Sequence, residues 1–192
     1  MTDISSSQTE IHREVGRRQI AAGEARTALL RRRYDAPIED VWDACTDPVR
    51  LARWLLPVSG DLRVGGTFQL QGNASGEILR CESPRLLTVT WIYGDRPADE
   101  VELRLSRGED GDTVLELEHA SVAEHAPGTV DGRAIDAIVG VGTGWELPLI
   151  FSLTAFLRGE LPGAPPTEEE IAKAASRAGQ AWAATLEAAT AE

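Results

Sequence analysis

TVLELEH, residues 113–119, alternates strictly and ends on a histidine. Leu115, Leu117 and His119 fall on one side, and Val114, Glu116 and Glu118 on the other, which is the period of a half-buried strand. The preceding stretch VELRLS (101–106) sorts the same way, with Val101, Leu103 and Leu105 set against Glu102, Arg104 and Ser106. Paired residues of an antiparallel hairpin share a face, so the leucines must oppose members of the Leu115, Leu117, His119 set, and partner numbers must sum to an even value. A two-residue Asp110-Gly111 turn would make that sum odd. The pattern therefore predicts a loop with an odd residue count, or a bulge, in spite of the inviting Asp-Gly.

Upstream, LLTVTWIYG (86–94) puts Val89, Trp91 and Tyr93 on one face, and Phe68 and Leu70 alternate with Gln69 and Gln71. GNASG (72–76) reads as a turn and EILRCES (77–83) as a strand. Still earlier, ARTALLRRRY (25–34) reads as a strand with Leu30 and Tyr34 on one face. The period then changes: Ile38, Val41, Trp42 and Cys45 recur at helical spacing after an entry signal at Asp35 or Pro37. Asp47-Pro48 breaks that helix and opens a second short one, whose apolar face is Leu51, Trp54 and Leu55. Residues 10–19 are readable as an extra strand or an arm, and the first eight as a polar disordered tail.

Beyond residue 134, AIDAIVGVGTGWELPLIFSLTAFLRGE is apolar enough for a long buried helix. Pro148 should kink it or mark its restart, with Thr143 to Glu146 (TGWE) as a capping box for that restart. LPGAPP (161–166) is a linker. Thr167 to Glu170 caps a last helix with the stripe Ile171, Ala175, Ala178, Trp182 and Leu186, which buries that face on its own domain or on a second subunit.

The expected organisation is an arm or extra strand over 1–24, one domain over 25–159, and a linker with an amphipathic helix over 160–192. The fold class is α+β: a curved antiparallel sheet gripping a long helix, with two short helices after the first core strand.

Composition narrows the function. With a formal charge of −12 and one lysine, Lys173, the chain lacks the basic footprint of a nucleic-acid or anionic-membrane binder. No apolar run opens the chain, and LPLIFSLTAFL is too short to span a bilayer, so neither a signal peptide nor a membrane span is expected and the cytoplasm is the default. Cys45 and Cys81 read as small buried hydrophobes. GVGTG (140–144) lacks the spacing and preceding strand of a nucleotide loop. His119 and His125 with either cysteine do not make metal-ligand spacing, and no Gly-x-Ser-x-Gly elbow is present. No metal, cofactor or catalytic residue is expected.

Three stretches together resemble the SRPBCC (START-like, helix-grip) superfamily: YDAPIEDVWDACTDPVRLARWLLP (34–57), GDLRVGGTFQLQGNASGEILRCESPRLLTVTWIYG (60–94), and VELRLS, TVLELEH and GWE in succession. Within it they are most similar to homologues of the C-terminal domain of the heat-shock protein 90 ATPase activator. The resemblance covers roughly residues 25–159. It implies a cavity between sheet and long helix that binds a hydrophobic small molecule. Regulators of heat-shock protein 90 also use an N-terminal domain for which 192 residues leave no room, so the resemblance implies the fold more than co-chaperone activity.

In such a fold, parity places Phe68, Trp91, Tyr93, Leu103, Leu117 and His119 on the cavity wall, with Val89, Leu70, Leu105 and Leu115 around them. Trp54 and Trp145 join from the helices, and Glu146 either reaches the cavity as a partner for His119 or caps the helix, the cap being favoured. His119 has three readings: a core histidine bonded to a carbonyl or to Tyr93, a contact to a ligand's polar head, or an acid–base group. The expected partner is a hydrophobic small molecule bound by a monomer or homodimer. The alternatives are a cyclase, dehydratase or hydrolase acting on an aromatic or polyketide-like substrate, and a chaperone cofactor or other protein-interaction module. The acidic set Glu100, Glu102, Glu116 and Glu118 reads as a solvated sheet face.

Overall fold

The structure is a computed structural model that describes residues 11–122, 128–130, 133–161 and 166–191. The tail over 1–8, His125 and most of the 161–166 linker lie outside the described residues. Eight antiparallel strands form one sheet: β1 (His12–Ile20), β2 (Gly23–Tyr34), β3 (Val58–Gly60), β4 (Thr67–Leu70), β5 (Ser75–Glu82), β6 (Leu86–Trp91), β7 (Asp99–Arg107) and β8 (Thr113–Ser121). Their order is β1-β2-β8-β7-β6-β5-β4-β3. A small ribbon, β9 (Gly128–Val130) with β10 (Arg133–Ile135), stands apart from it. The stretch read as an extra strand or an arm is a strand over His12–Ile20, each residue of which pairs with β2.

The β7–β8 hairpin keeps the predicted parity. Leu105 opposes Leu115, Leu103 opposes Leu117 and Val101 opposes His119. The Gly108 N–H bonds the Asp112 carbonyl at 2.9 Å, leaving three residues, Glu109 to Gly111, at the tip. Gly111 sits at φ +82, the left-handed residue such a three-residue loop requires. In β5 the pairing slips between Ile78 and Arg80, so Leu79 bulges out, half exposed, and the alternation after it is inverted. Ile78 and Cys81 consequently turn to the same side. Cys81 is exposed at the cavity mouth and is not the buried hydrophobe its composition suggested.

α1 (Ile38–Thr46) and α2 (Pro48–Leu51) follow β2. Pro37 caps α1 without a side-chain bond, so Asp35 is not the cap, whereas Asp47 accepts from the Arg50 N–H at 2.9 Å and Pro48 takes the first turn of α2. The Trp54 indole donates to the Ala44 carbonyl at 2.8 Å and closes this pair into one unit.

The core helix runs unbroken through α3 (Ala137–Pro148), a π-turn (Leu149–Leu153) and α4 (Thr154–Leu157). Its cap is Asp136, which accepts from the Ile138 N–H. No restart occurs at TGWE, because Thr143 donates back to the Val139 carbonyl at 2.8 Å and Glu146 points sideways. Pro148 is absorbed by the π-turn, which takes up an extra residue where proline removes a helix bond. By length and composition this 21-residue segment could cross a bilayer. Here it is the core helix, packed between the sheet and α5 (Glu168–Thr190).

Helix α5 opens with the expected capping box of Thr167 and Glu170 and docks on its own domain, against α3 and β1. The buried stripe is Ala174, Ala178, Gly179 and Trp182; Ile171 is exposed and is not part of it. Gly142 explains the close approach, since a Cβ there would stand 2.4 Å from the Trp182 ring. Beneath the contact, Glu146 is fully buried. It accepts from Arg13 Nε at 2.8 Å, from Arg13 Nη2 at 2.6 Å and from Trp182 Nε1 at 2.8 Å.

On the outer sheet face the acidic set is paired as well as solvated: Arg18 bridges Glu100 and Glu118, Arg31 holds Glu116, and Arg104 holds Glu102.

Candidate functional site

Between sheet and core helix lies an inner cavity of about 370 Å³. Leu103 and Leu117 form its floor from the sheet, Phe68 and Trp91 one side, and Trp54 and Trp145 the helical side. All six were named from the sequence, the four strand residues by parity within the fold that the resemblance implies and Trp54 and Trp145 from the helices. The Cys45 thiol is pushed up to about 12, chiefly by burial, and so contributes a neutral wall with no thiolate chemistry at neutral pH.

A second, outer cleft of about 530 Å³ abuts the first. The two share Leu55, Leu70, Trp91, Trp145 and Pro148 as a partition. Its core is the ring pair Trp91–Trp145, with centroids 4.9 Å apart and planes inclined at 58°. His119 lines the outer cleft, along with Asn73 and Arg96. Tyr93 also reaches the cleft but lies beyond the end of β6, 51 % exposed under Arg96. It is a rim residue and not part of the inner wall, because the alternation that assigned it stops at Trp91.

His119 is 5 % exposed and fully engaged. Its Nε2 stands 3.0 Å from Asp99 Oδ2, and its Nδ1 stands 2.9 Å from the Trp145 indole nitrogen. An indole can only donate, so Nδ1 is the acceptor and Nε2 carries the proton given to Asp99. The partner is neither a backbone carbonyl nor Tyr93. Glu146, the carboxylate expected to reach it, lines neither space; it lies on the far side of α3 with Arg13 and Trp182.

Asp99 was missed, although its parity with Val101, Leu103 and Leu105 places it on the inner face. Burial alone would raise its pKa. The hydrogen bonds from His119, from the Val122 N–H at 3.0 Å and from the Ser121 hydroxyl oppose that, and the net shift is downward. A depressed carboxylate contributes stability above its unfolded value of about 3.9 and loses it as pH falls through the lower folded value. We expect Asp99→Asn to lose about 1–3 kcal/mol at pH 7. In urea unfolding the gap to wild type should close below about pH 4; a gap independent of pH would show that the charge is not what stabilises.

Among the described residues no group of three or more His, Cys, Asp or Glu is placed to hold a metal ion.

The family described as Activator of Hsp90 ATPase homolog 1-like protein matches residues 35–157. Among solved structures, CalU16 from Micromonospora echinospora is 49 % identical over 91 % of this chain and 97 % of its own, with a TM-score of 0.77. DynU16, a protein of the dynemicin biosynthetic locus, shares the fold at 23 % identity and TM-score 0.57, over 69 % of this chain and 47 % of its own. An HSP90 activator from Plasmodium falciparum shares it at 21 % identity and TM-score 0.52, over 63 % and 88 %. No curated protein matches the chain.

Proposed function

The chain belongs to the Activator of Hsp90 ATPase homolog 1-like family, of SRPBCC-type helix-grip proteins, and we propose that it binds a hydrophobic small molecule between sheet and core helix, in the cytoplasm. The observation that carries this is the inner cavity of about 370 Å³, walled by aliphatic and aromatic side chains. Pockets of roughly 300–1,000 Å³ with such walls are the usual form of small-molecule sites. Burying about 250 Å² of apolar ligand surface would supply about 6 kcal/mol of gross driving force, which offsets the entropic cost of association. Polar contacts in the outer cleft would add to it.

The geometry favours binding over catalysis. Both nitrogens of His119 are engaged within the protein, and Glu146, the carboxylate considered as its partner, faces away from it. A deep cavity also favours a small molecule over a protein partner, which would need an exposed apolar face.

The test is titration with N-phenyl-1-naphthylamine, a neutral apolar fluorophore, against wild type and Val101→Phe. Val101 lines the inner cavity opposite His119 on the neighbouring strand, so the added ring crowds the space. Wild type should bind at micromolar concentration, and the variant at least tenfold more weakly with a similar Tm. Native mass spectrometry of gently purified protein would reveal any molecule that co-purifies. A wild-type protein that takes up no probe, or a variant that binds equally well, removes the cavity as the binding site.

A further inference from the structure

The inference concerns which molecules the cavity selects, and so rests on the binding function above. The Asp99–His119–Trp145 chain has a fixed direction. Asp99, held by the Val122 N–H on one oxygen, takes the Nε2 proton of His119 on the other. Nδ1 is left as an obligatory acceptor, and among the described residues the donor it meets is the indole N–H of Trp145. His119 and Trp145 both line the outer cleft, and Trp145 also lines the inner cavity, so its ring belongs to the partition between the two spaces. The indole thus occupies a directed acceptor that lies beside the Trp91 and Trp145 rings.

We propose that Trp145 holds the place of a ligand hydroxyl, and that the cognate ligand is a neutral hydroxylated aromatic whose O–H donates to His119 Nδ1 while its rings lie across the Trp91–Trp145 partition. Three features define this class. The acceptor lone pair of Nδ1, backed by the Asp99 carboxylate, favours a donor and repels a carboxylate or phenolate oxygen. Trp91, Trp145 and Phe68 present ring faces and edges to whatever lies between the chambers, with Phe68 and Trp91 centroids 6.2 Å apart. The indole ring lines both spaces, so a ligand that spans the partition and displaces it must replace the bond that it breaks. A site with a buried acceptor discriminates strongly against analogues that leave the acceptor unpaired.

The experiment compares 2-naphthol with 2-methoxynaphthalene, which has the same ring system and no donor. Binding is measured to wild type and to Trp145→Phe, which removes the competing N–H and keeps an aromatic ring. Wild type should prefer the naphthol, and Trp145→Phe should widen that preference at least fivefold. On wild type, 2-naphthol should shift the Trp145 indole proton resonance upfield as its hydrogen bond is lost, and the ether should not. The spectroscopic arm needs no variant to fold. Equal affinities for the two compounds in both proteins, or the same indole shift from both, would overturn hydroxyl recognition and leave cavity binding standing. If neither compound binds, cavity binding fails and this proposal with it.

Discussion

Glu146→Leu is expected to cost about 3–5 kcal/mol, the range for removing one partner of a buried ion pair. The carboxylate is fully buried and serves two elements at once, Arg13 of β1 through two bonds and Trp182 of α5 through one. Its loss leaves the guanidinium and the indole without an acceptor beneath a docked helix. At about 2–4 °C per kcal/mol for a chain of this size, Tm should fall by roughly 10 °C. Urea unfolding gives the free energy, and limited proteolysis in the 161–166 linker should speed up if α5 loosens. Adding Arg13→Met to Glu146→Leu should recover part of the loss, since the unpaired charge is then gone. A single variant within about 1 kcal/mol of wild type would show that the helix is held by its apolar contacts alone.

Arg32→Met should move stability the other way, up by about 1–3 kcal/mol. Arg32 is 4 % exposed between Leu30 and Tyr34 on the core face of β2, and among the described residues it makes no ion pair. Its Nη1 donates to the Leu149 carbonyl at 3.2 Å, its Nε has no acceptor, and its guanidinium lies 5.2 Å from the Tyr34 ring centroid. Methionine keeps the length and removes a charge whose desolvation nothing acidic offsets. The Leu149 carbonyl stays satisfied, because the Tyr34 hydroxyl at 3.0 Å and the Thr154 hydroxyl at 3.1 Å also donate to it. Burial holds the Tyr34 phenol far above its ordinary value, so it remains a donor throughout. Urea unfolding is again the measurement. A destabilised Arg32→Met would mean that the guanidinium is required to hold the π-turn.

The sheet was legible because alternation is a local signal. Parity alone predicted an odd loop over the Asp-Gly turn, and the register Leu105 to Leu115 follows it. It also put Trp91, Leu103, Leu117 and Phe68 on the inner sheet face, which the family resemblance made the wall of a cavity. It failed where a local rule was interrupted, at Tyr93, past the end of β6, and the exposure of Cys81, past the bulge at Leu79, was missed because cysteine usage alone reads as burial. Arg32 and Asp99 were visible in principle as charged residues in step with apolar ones. Only the paired strands show that Asp99 lies diagonal to His119. Glu146 failed for a different reason. A capping box and a buried acceptor use the same residue type, and what decides between them is Arg13, 133 residues away.

Trp145 and Glu146 are neighbours in sequence with opposite destinations, one to the cavity and the other to Arg13 and Trp182. Successive helical residues differ by about 100° in direction. One residue deleted between Asp136 and Trp145 would therefore turn the carboxylate toward the apolar chamber, and one residue inserted there would turn the indole toward the arginine. The segment can exchange side chains but cannot change length. The π-turn is where the helix already accommodates one residue more than an α-helical count, on the far side of Pro148. Length variation in this helix should be sought there, downstream of the two residues that fix its phase.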